Sequence, residues 1–257
     1  MDLGKSFTYM FEDKDWIVKI LIGGGIILLG AIFSWVLLIP LIAAFSIVLG
    51  YYVLVLRNVY EGSATPLPEW TNFGDLFSKG IGALGGGFIW SLPAIILTCC
   101  GYIPIFISGS ANRGDGGAGS LGILGLLGTC ILCLAIIVGI ATALFIYAPL
   151  TNYALTNQIS TFWDFRGNWN FIRNNSNNYL IAFLLAIVAS IGAGLLGGIT
   201  CGLLGAFTGF WAYLVAAHLF GQVARANMVP PDAGMLPPAP PMPPSEMQGP
   251  FEPAPSA

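Results

Sequence analysis

The chain has 257 residues, of which 56% are hydrophobic and only 8% are charged, and its formal net charge is −3. Soluble domains carry about 25% charged residues, so this composition excludes an ordinary water-soluble domain. Acidic and basic residues are mixed within the same loops. This mixing excludes the clustered basic face that nucleic-acid binding needs, and it also argues against a strongly basic lipid-binding patch.

Four apolar stretches alternate with polar loops along the chain, at residues 17–56, 81–107, 121–150 and 180–221. A hydrocarbon core of about 30 Å is crossed by about 20 helical residues. The two middle stretches are therefore long enough to cross once, and the first and last are long enough to cross twice. We predict an all-α membrane protein whose six transmembrane helices form three helical hairpins.

The basic residues predict the orientation of these hairpins. If successive crossings place the loops on alternate sides of the membrane, Arg113 lies on one side. The other eight basic residues lie on the opposite side: Lys5, Lys14, Lys19, Arg57, Lys79, Arg166, Arg173 and Arg225. Since basic residues accumulate in cytoplasmic loops, we predict a multi-pass protein of the cell membrane with both termini in the cytoplasm. Acidic residues precede the first apolar run, so we interpret this run as an uncleaved crossing rather than a secretory signal.

A short amphipathic segment is predicted before each hairpin. Phe7 and Phe11 are four residues apart in the first segment, as are Phe73 and Phe77 in the second. The third segment contains Phe162, Phe165, Trp169 and Ile172. Each spacing makes one apolar stripe on a helix, and such a stripe beside a membrane span favours a helix lying in the interface. The alternative is that these residues belong to loops or to the first turn of the span.

The first and third hairpins match in detail. Trp16 and Tyr179 each open an apolar run, and Tyr52 and Tyr213 follow them at similar distances. The turns within these runs are predicted near Pro40 and in the glycine cluster 192–202. Glycines at four-residue spacing predict close helix packing: Gly82 with Gly86, Gly194 with Gly198 and Gly202, and Gly205 with Gly209. The alternative to close packing is that the glycine triplets 23–25 and 85–87 break helices, so that backbone N–H and C=O groups are exposed to a substrate.

Loops and tail complete the predicted organisation. Residues 62–71, with two prolines, are predicted to be a rigid extended loop, and 108–120 a flexible external loop. Residues 1–227 form the predicted transmembrane domain. Eleven of the seventeen prolines lie in 228–257, which we predict to be a disordered Pro-rich cytoplasmic tail.

Several strings in the chain resemble one known family. They are Arg57-Asn58-Val59-Tyr60-Glu61-Gly62, Pro66-Leu67-Pro68-Glu69-Trp70, Phe73-Gly74-Asp75-Leu76-Phe77 with Gly80, Phe7-Thr8-Tyr9-Met10-Phe11-Glu12-Asp13 and Ala216-Ala217-His218-Leu219-Phe220-Gly221-Gln222. The chain from residue 1 to about 226 is similar to the prokaryotic membrane family catalogued as domain of unknown function 4013. The resemblance implies a multi-pass bacterial or archaeal membrane protein and supplies no catalytic residue.

A polar cluster at the inner face is the main candidate site. His218 and Gln222 form an i, i+4 pair, and aligning Tyr52 with Tyr213 makes Arg57 and Glu61 their equivalents. These two pairs, with Glu69 and Asp75 nearby in sequence, are predicted to line one pocket. The alternative is that they are snorkelling and capping residues at helix ends, where a charge is tolerated.

Five cysteines occur in apolar surroundings, at positions 99, 100, 130, 133 and 201. Cys99 and Cys130 are predicted at similar depth, so a disulfide among Cys99, Cys100 and Cys130 is one candidate. Cys130 and Cys133 have the spacing of a redox motif, but they lie in an apolar helix without a basic neighbour, and cysteine packed as a small hydrophobic residue is the main expectation.

The pattern favours a protein without catalytic activity. No carboxylate pair within a span, no nucleophile beside a base and no metal-ligand spacing is visible, so no enzyme activity, cofactor or metal is expected. We predict a scaffold or accessory membrane component, whose partners are the lipid bilayer and a protein recruited by the Pro-rich tail or the cytoplasmic loops. The alternative is a transporter or channel for a small neutral or apolar substrate, since no charged residue is predicted at mid-membrane depth.

Overall fold

The computed structural model describes residues 1–35, 38–111, 118–200 and 202–226, and its regular elements are all helical. The α-helices are α1 Leu3–Thr8, α2 Trp16–Phe33, α3 Ile39–Glu61, α4 Phe73–Ala111, α5 Ala118–Thr156, α6 Phe165–Asn174, α7 Ser176–Ile199 and α8 Gly205–Ala226. Short 3₁₀ helices cover Tyr9–Glu12 and Ile159–Trp163. The all-α prediction is confirmed for these residues, and the predicted tail, 228–257, lies outside them.

Five helices are long and apolar enough to cross a membrane. They are Trp16–Phe33, Ile39–Glu61, Phe73–Gly109, Gly122–Thr156 and Ser176–Ile199. The sixth predicted crossing corresponds to α8, whose second half carries His218, Gln222 and Arg225. These polar residues make α8 less apolar than the other five helices, and the arrangement of six crossings stays a prediction.

The turns of the first and third hairpins lie close to their predicted positions. Between α2 and α3 the chain turns before Ile39, and Pro40 occupies the first turn of α3, where its missing N–H is harmless. Between α7 and α8 the described turn residues are Thr200 and 202–204, at the end of the predicted glycine cluster. Gly202 has φ +89°, which a glycine adopts without strain.

The middle hairpin is longer than predicted. Helices α4 and α5 have 39 residues each, which corresponds to about 58 Å at 1.5 Å per residue. Residues 108–111 and 118–120 are helical, so the predicted loop 108–120 is too long at both ends. The hydrocarbon core of a membrane is only about 30 Å thick, so a helix of this length that crossed one would tilt strongly or extend beyond it.

The amphipathic segments differ between the three hairpins. Short helices precede the first hairpin (α1 and Tyr9–Glu12) and the third (Ile159–Trp163 and α6). Before the second hairpin, however, Phe73 and Phe77 lie in the first turns of α4 itself. The prediction of a separate helix there is wrong, because an i, i+4 pair of aromatic residues is compatible with a short helix and with the start of a long one.

Glycines bring several helices into close contact. A side-chain carbon on Gly80 would collide with the Ser46 carbonyl, and one on Gly50 with the Leu76 carbonyl, so α3 and α4 touch through their backbones. Gly221 of α8 similarly faces Val59 of α3. The triplets 23–25 and 85–87 lie inside the unbroken helices α2 and α4, so the interpretation that they interrupt helices is wrong.

Helix α8 lies at the centre of the core. Twelve of its residues are buried, more than in any other described helix, and it packs against α2, α3 and α7. The large buried side chains around it include Tyr51, Phe210, Leu214 and Phe220. This burial explains how α8 accommodates polar residues, since its neighbours are protein side chains.

Candidate functional site

Lys19 is the centre of a buried ionic group near the start of α2. Its side chain is 4% exposed, and its Nζ lies 2.8 Å from Asp13 Oδ2 and 2.6 Å from Glu69 Oε1. Nζ also donates a hydrogen bond to the Leu67 carbonyl, at 3.3 Å. Two carboxylates and a carbonyl therefore surround one ammonium group, which is the kind of pairing that a buried charge requires.

The loop that contains Glu69 is held against α2 and α3 by its Trp70 side chain and by two of its backbone carbonyl groups. Trp70 Nε1 donates to the Lys19 carbonyl at 3.2 Å, and the Trp70 ring stacks on Tyr51 with 4.2 Å between ring centroids. Tyr51 donates from its hydroxyl to the Pro68 carbonyl, and Asn58 Nδ2 donates to the Pro66 carbonyl. The string Pro-Leu-Pro-Glu-Trp thus connects the loop to two helices.

Asp13 is held in its charged form by this group. Burial alone would raise the pKa of its carboxyl, but the hydrogen bonds from Lys19 Nζ and the Asp15 N–H, together with the Lys19 charge, outweigh burial and lower that pKa. Asp13 therefore stays ionised throughout the physiological pH range, and it belongs to the structural frame at the start of α2.

His218 is the centre of a second polar group, which joins α1 to α8. Its side chain is buried, its Nδ1 lies 3.0 Å from both Ser6 Oγ and Gln222 Nε2, and Tyr9 stacks on its ring at 4.2 Å. The Tyr9 hydroxyl donates to the Leu214 carbonyl, and burial raises the pKa of this phenol well above its ordinary value. The N-terminal segment is thereby attached to the end of α8.

The contacts of Gln222 tie the end of α8 to the N-terminal segment. Gln222 Oε1 accepts from the Asp2 N–H at 2.8 Å, and its Nε2 donates to the Asp2 carbonyl at 3.1 Å. This pair of bonds orients the amide, so its Nε2 faces both Ser6 Oγ and His218 Nδ1. In the neutral tautomer that carries its proton on Nε2, His218 Nδ1 is an acceptor for these neighbours.

A cavity of about 360 Å³ opens beside this group. Its lining includes Lys5, Ser63, His218, Gln222 and Arg225. Arg225 reaches over Gly62, whose φ of +81° ends α3. The cavity is therefore bounded by α1, the end of α3 and the end of α8.

The six residues of the predicted inner-face cluster belong to four separate groups of contacts. Arg57 pairs with Glu61 at 2.9 Å, and Asp75 pairs with Lys79 at 2.6 Å, each within one helix. Glu69 belongs to the Lys19 group, whereas His218 and Gln222 bond to each other and to α1. Whether any of these groups has a functional role stays a prediction.

Sequence reasoning missed Lys19 as the partner of both Glu69 and Asp13, and it missed Asp2 and Ser6 as partners of Gln222. A signal for the first was present, because Lys19 is a charged residue three positions inside a long apolar run. A charge at such a position needs a partner, and acidic residues stand immediately before the run. For Asp2 and Ser6 the sequence contains no comparable signal.

The described cysteines lie on the outer face of the α4–α5 hairpin. The side chains of Cys99, Cys100, Cys130 and Cys133 are exposed. The expectation that cysteines here are packed as buried residues is therefore wrong for these four, and the disulfide among Cys99, Cys100 and Cys130 stays a prediction. Cys201 lies outside the described residues.

Comparison with known proteins identifies one family. Residues 32–202, more than half of the chain, match the family described as "Protein of unknown function (DUF4013)". The match includes the strings of residues 57–80, whereas the similar strings at 7–13 and 216–222 lie outside it. No curated protein and no solved structure matches the chain.

Proposed function

The chain belongs to the DUF4013 family, and from this premise we propose that it is a six-crossing integral protein of the cell membrane that acts as a non-catalytic scaffold or accessory component. The observation that carries membrane insertion is the apolar outer surface of α2, α4, α5 and α7. Large side chains are widely exposed there, including Leu29, Phe106, Ile137 and Ile199. Soluble monomers rarely expose contiguous apolar patches of this kind, whereas lipid covers them without cost.

Helix α8 is the proposed sixth crossing. Its 22 residues extend about 33 Å, which is enough to cross the hydrocarbon core. Because α2, α3 and α7 surround it, its polar residues do not have to face lipid. Six crossings return the chain to the side on which it started, which fits the positive-inside distribution of Lys and Arg and supports both termini in the cytoplasm.

The charges at this proposed cytoplasmic end support a structural role. Glu69 is bound to Lys19, Glu61 to Arg57, and Asp75 to Lys79. Carboxylates held in this way stabilise loops and helix ends and are less suited to proton transfer. The exposed side chains of Phe165 and Trp169 support a position of α6 in the membrane interface. The cytoplasmic loops and the Pro-rich tail are then the segments available for binding a partner.

Crosslinking in native membranes, followed by purification, tests the scaffold role. We expect the full chain to retain a protein partner in fixed stoichiometry, and a chain ending at residue 228 to lose it. The matched control is a chain with an unrelated tail of equal length. A chain that retains no stoichiometric partner under these conditions contradicts the scaffold role.

A transporter or channel for a small neutral or apolar substrate is the second candidate. The observation that favours it is a cavity of about 630 Å³ between α7 and α8, with tyrosine and glycine residues in its wall. Uptake of uncharged solutes by a deletion strain and its complemented control distinguishes this candidate, because a scaffold does not change the permeability of the membrane.

A further inference from the structure

The cavity of about 360 Å³ at the ends of α1, α3 and α8 is lined by two basic side chains from different helices. Lys5 lies in the last turn of α1 and Arg225 in the last turn of α8, and both are exposed. The ion pairs of the described residues involve Lys19, Arg57 and Lys79, and neither Lys5 nor Arg225 takes part in one. Two cations therefore line the same space without a counter-ion among the described residues.

Gly62 positions the guanidinium of Arg225 at this cavity. A side-chain carbon at Gly62 would lie 2.6 Å from both Nη1 and Nη2 of Arg225, so the guanidinium lies directly against the glycine backbone. The φ of +81° at Gly62 also favours glycine, since other residues rarely adopt it. The end of α3 thus leaves room for the guanidinium, whose N–H groups have no hydrogen-bond partner among the described residues.

His218 contributes a third donor to the cavity. Its Nδ1 contacts Ser6 and Gln222, and its other ring nitrogen, Nε2, has no hydrogen-bond partner among the described residues. In the part of the chain that the structure describes, the Tyr52 hydroxyl is the only fully enclosed side-chain nitrogen or oxygen without a partner. Nε2 is therefore accessible, and because His218 is 3% exposed and lines the cavity, the cavity supplies this access. With its proton on Nε2, the ring donates into the cavity.

One carboxylate also lines the cavity. Asp2 caps α1, and its Oδ1 accepts a hydrogen bond from the Lys5 N–H at 3.0 Å. Glu61 immediately precedes Gly62, but its carboxylate is paired with Arg57 at 2.9 Å. The lining therefore contains two cationic side chains and one anionic side chain, and this excess of positive charge favours an anionic ligand.

A phosphate group matches the number of these donors. Arg225 presents a planar fork of N–H groups, Lys5 an ammonium group, and His218 a single N–H. A carboxylate has only two oxygens to accept from three side chains, whereas a phosphate monoester has three unesterified oxygens. The volume of about 360 Å³ lies in the range of small-molecule sites, so the cavity also has room for an organic group attached to the phosphate.

We propose that this cavity binds a phosphate group, with Arg225 and Lys5 paired to its oxygens and His218 Nε2 donating to one of them. Soluble phosphate monoesters and phospholipid headgroups both present such a group. The proposal goes beyond the scaffold role and depends neither on the six crossings nor on the predicted orientation. A failure to bind phosphate would therefore leave the proposed function unchanged.

Two pairs of matched probes test the recognition of phosphate. The purified full chain in detergent is titrated calorimetrically, in phosphate-free buffer of physiological ionic strength, with glycerol 3-phosphate or glycerol, and with dihexanoyl phosphatidic acid or dihexanoylglycerol. We expect each phosphate probe to bind at least about tenfold more tightly than its uncharged partner. The tighter of the two phosphate probes identifies the source as a soluble ester or a lipid headgroup. Equal binding within both pairs, or no binding of either phosphate probe, overturns the proposal.

Substitution of the two cations locates the site. Arg225→Gln and Lys5→Gln should each weaken binding of the tighter phosphate probe about tenfold. Both should leave the unfolding midpoint of the ligand-free protein unchanged, because both side chains are exposed and unpaired among the described residues. The matched control is Arg173→Gln, which removes another exposed arginine in the last turn of a helix, and it should bind as the unsubstituted chain does. Equal losses in Arg173→Gln and Arg225→Gln would indicate general charge attraction and overturn the proposal.

The carboxylate of Asp2 provides a test of opposite sign. Asp2→Asn retains a side-chain oxygen that can cap α1, and the contacts of Gln222 to the Asp2 backbone do not depend on the carboxylate. The substitution removes a negative charge from the cavity lining, so the phosphate probe should bind about threefold more tightly. Unchanged or weaker binding in Asp2→Asn contradicts the proposed position of the phosphate.

Discussion

Lys19 Nζ of α2 lies 2.6 Å from Oε1 of Glu69, in the loop that precedes α4. This ion pair joins the beginning of the first apolar helix to the Pro-Leu-Pro-Glu-Trp string. The same string contacts α3 through Tyr51 and Asn58. The loop therefore acts as a clamp that holds α2 and α3 together at one end.

Substitution of Lys19 tests the clamp. Lys19→Met leaves Asp13, whose side chain is 12% exposed, without its counter-ion. Removing one partner of a buried pair costs about 3–5 kcal/mol, and we expect the lower end because Glu69 is largely exposed. The thermal unfolding midpoint in detergent should fall clearly. The control, Lys79→Met, breaks the more exposed pair with Asp75 and should cost less than about 1 kcal/mol. Equal effects of the two substitutions contradict a clamp.

The lowered pKa of Asp13 predicts a pH dependence. A carboxyl whose pKa is lower in the folded protein stabilises the fold above its unfolded value of about 3.9, and this contribution disappears as the pH falls through the folded value. We expect a constant midpoint from pH 8 to pH 5 and a decrease below about pH 4. In Asp13→Asn the decrease should be smaller. An identical acid profile for the variant would show that Asp13 does not contribute.

His218 predicts a separate effect on the N-terminal segment. His218→Leu removes the acceptor for Gln222 Nε2 and for Ser6, which should cost about 1–3 kcal/mol and release α1 from α8. Tryptic cleavage at Lys5 should then accelerate. His218→Asn, which retains an acceptor near the position of Nδ1, should retain more of the protection.

The same residue tests the functional interpretation of the inner-face cluster. If His218 belongs to a functional site, His218→Ala should impair the phenotype that the deletion strain shows, at normal expression and with the fold intact. A fully active His218→Ala protein would leave only the structural role of attaching α1.

Reporter fusions test the topology. A reporter after Ala64 should lie in the cytoplasm and one after Gly116 outside the cell. The basic residues that flank the loop before α4 predict a cytoplasmic loop, and α4 crosses the membrane once. Residue 116 itself lies outside the described residues. A reporter after Ala226 should agree with the one at Ala64. Signals from the same side at Ala64 and Gly116 contradict the map.

Removal of the tail tests its independence from the helices. The Pro-rich composition of 229–257 cannot bury enough apolar surface to offset an ordering cost of about 1–2 kcal/mol per residue. Deleting these residues should leave insertion and the unfolding midpoint unchanged. In the intact chain, amide exchange of the tail should occur at unprotected rates, and sustained protection would show that the tail docks on the helices.

Much of the secondary structure follows from local patterns in the sequence. The apolar runs predict α2, α3, α4, α5 and α7 because helix formation and membrane compatibility depend on neighbouring residues. Pro40 and the glycines before Gly205 similarly predict the turns within the first and third hairpins. The ends of α4 and α5 were less predictable, since glycine and polar residues next to a span are compatible with a loop and with a helix that extends beyond lipid.

The tertiary structure alone decided which polar groups meet. The sequence by itself determined that Lys19, His218 and Gln222 stand at the ends of apolar runs and that Glu69 stands in the loop between two of them, because position along the chain is a local property. Which of them pair depends on how the helices pack. Packing brings Glu69 to Lys19 and Ser6 to His218, although long stretches of chain separate them. It also leaves the Tyr52 hydroxyl buried without a hydrogen-bond partner among the described residues, since helix contacts are determined by the shapes of many side chains at once.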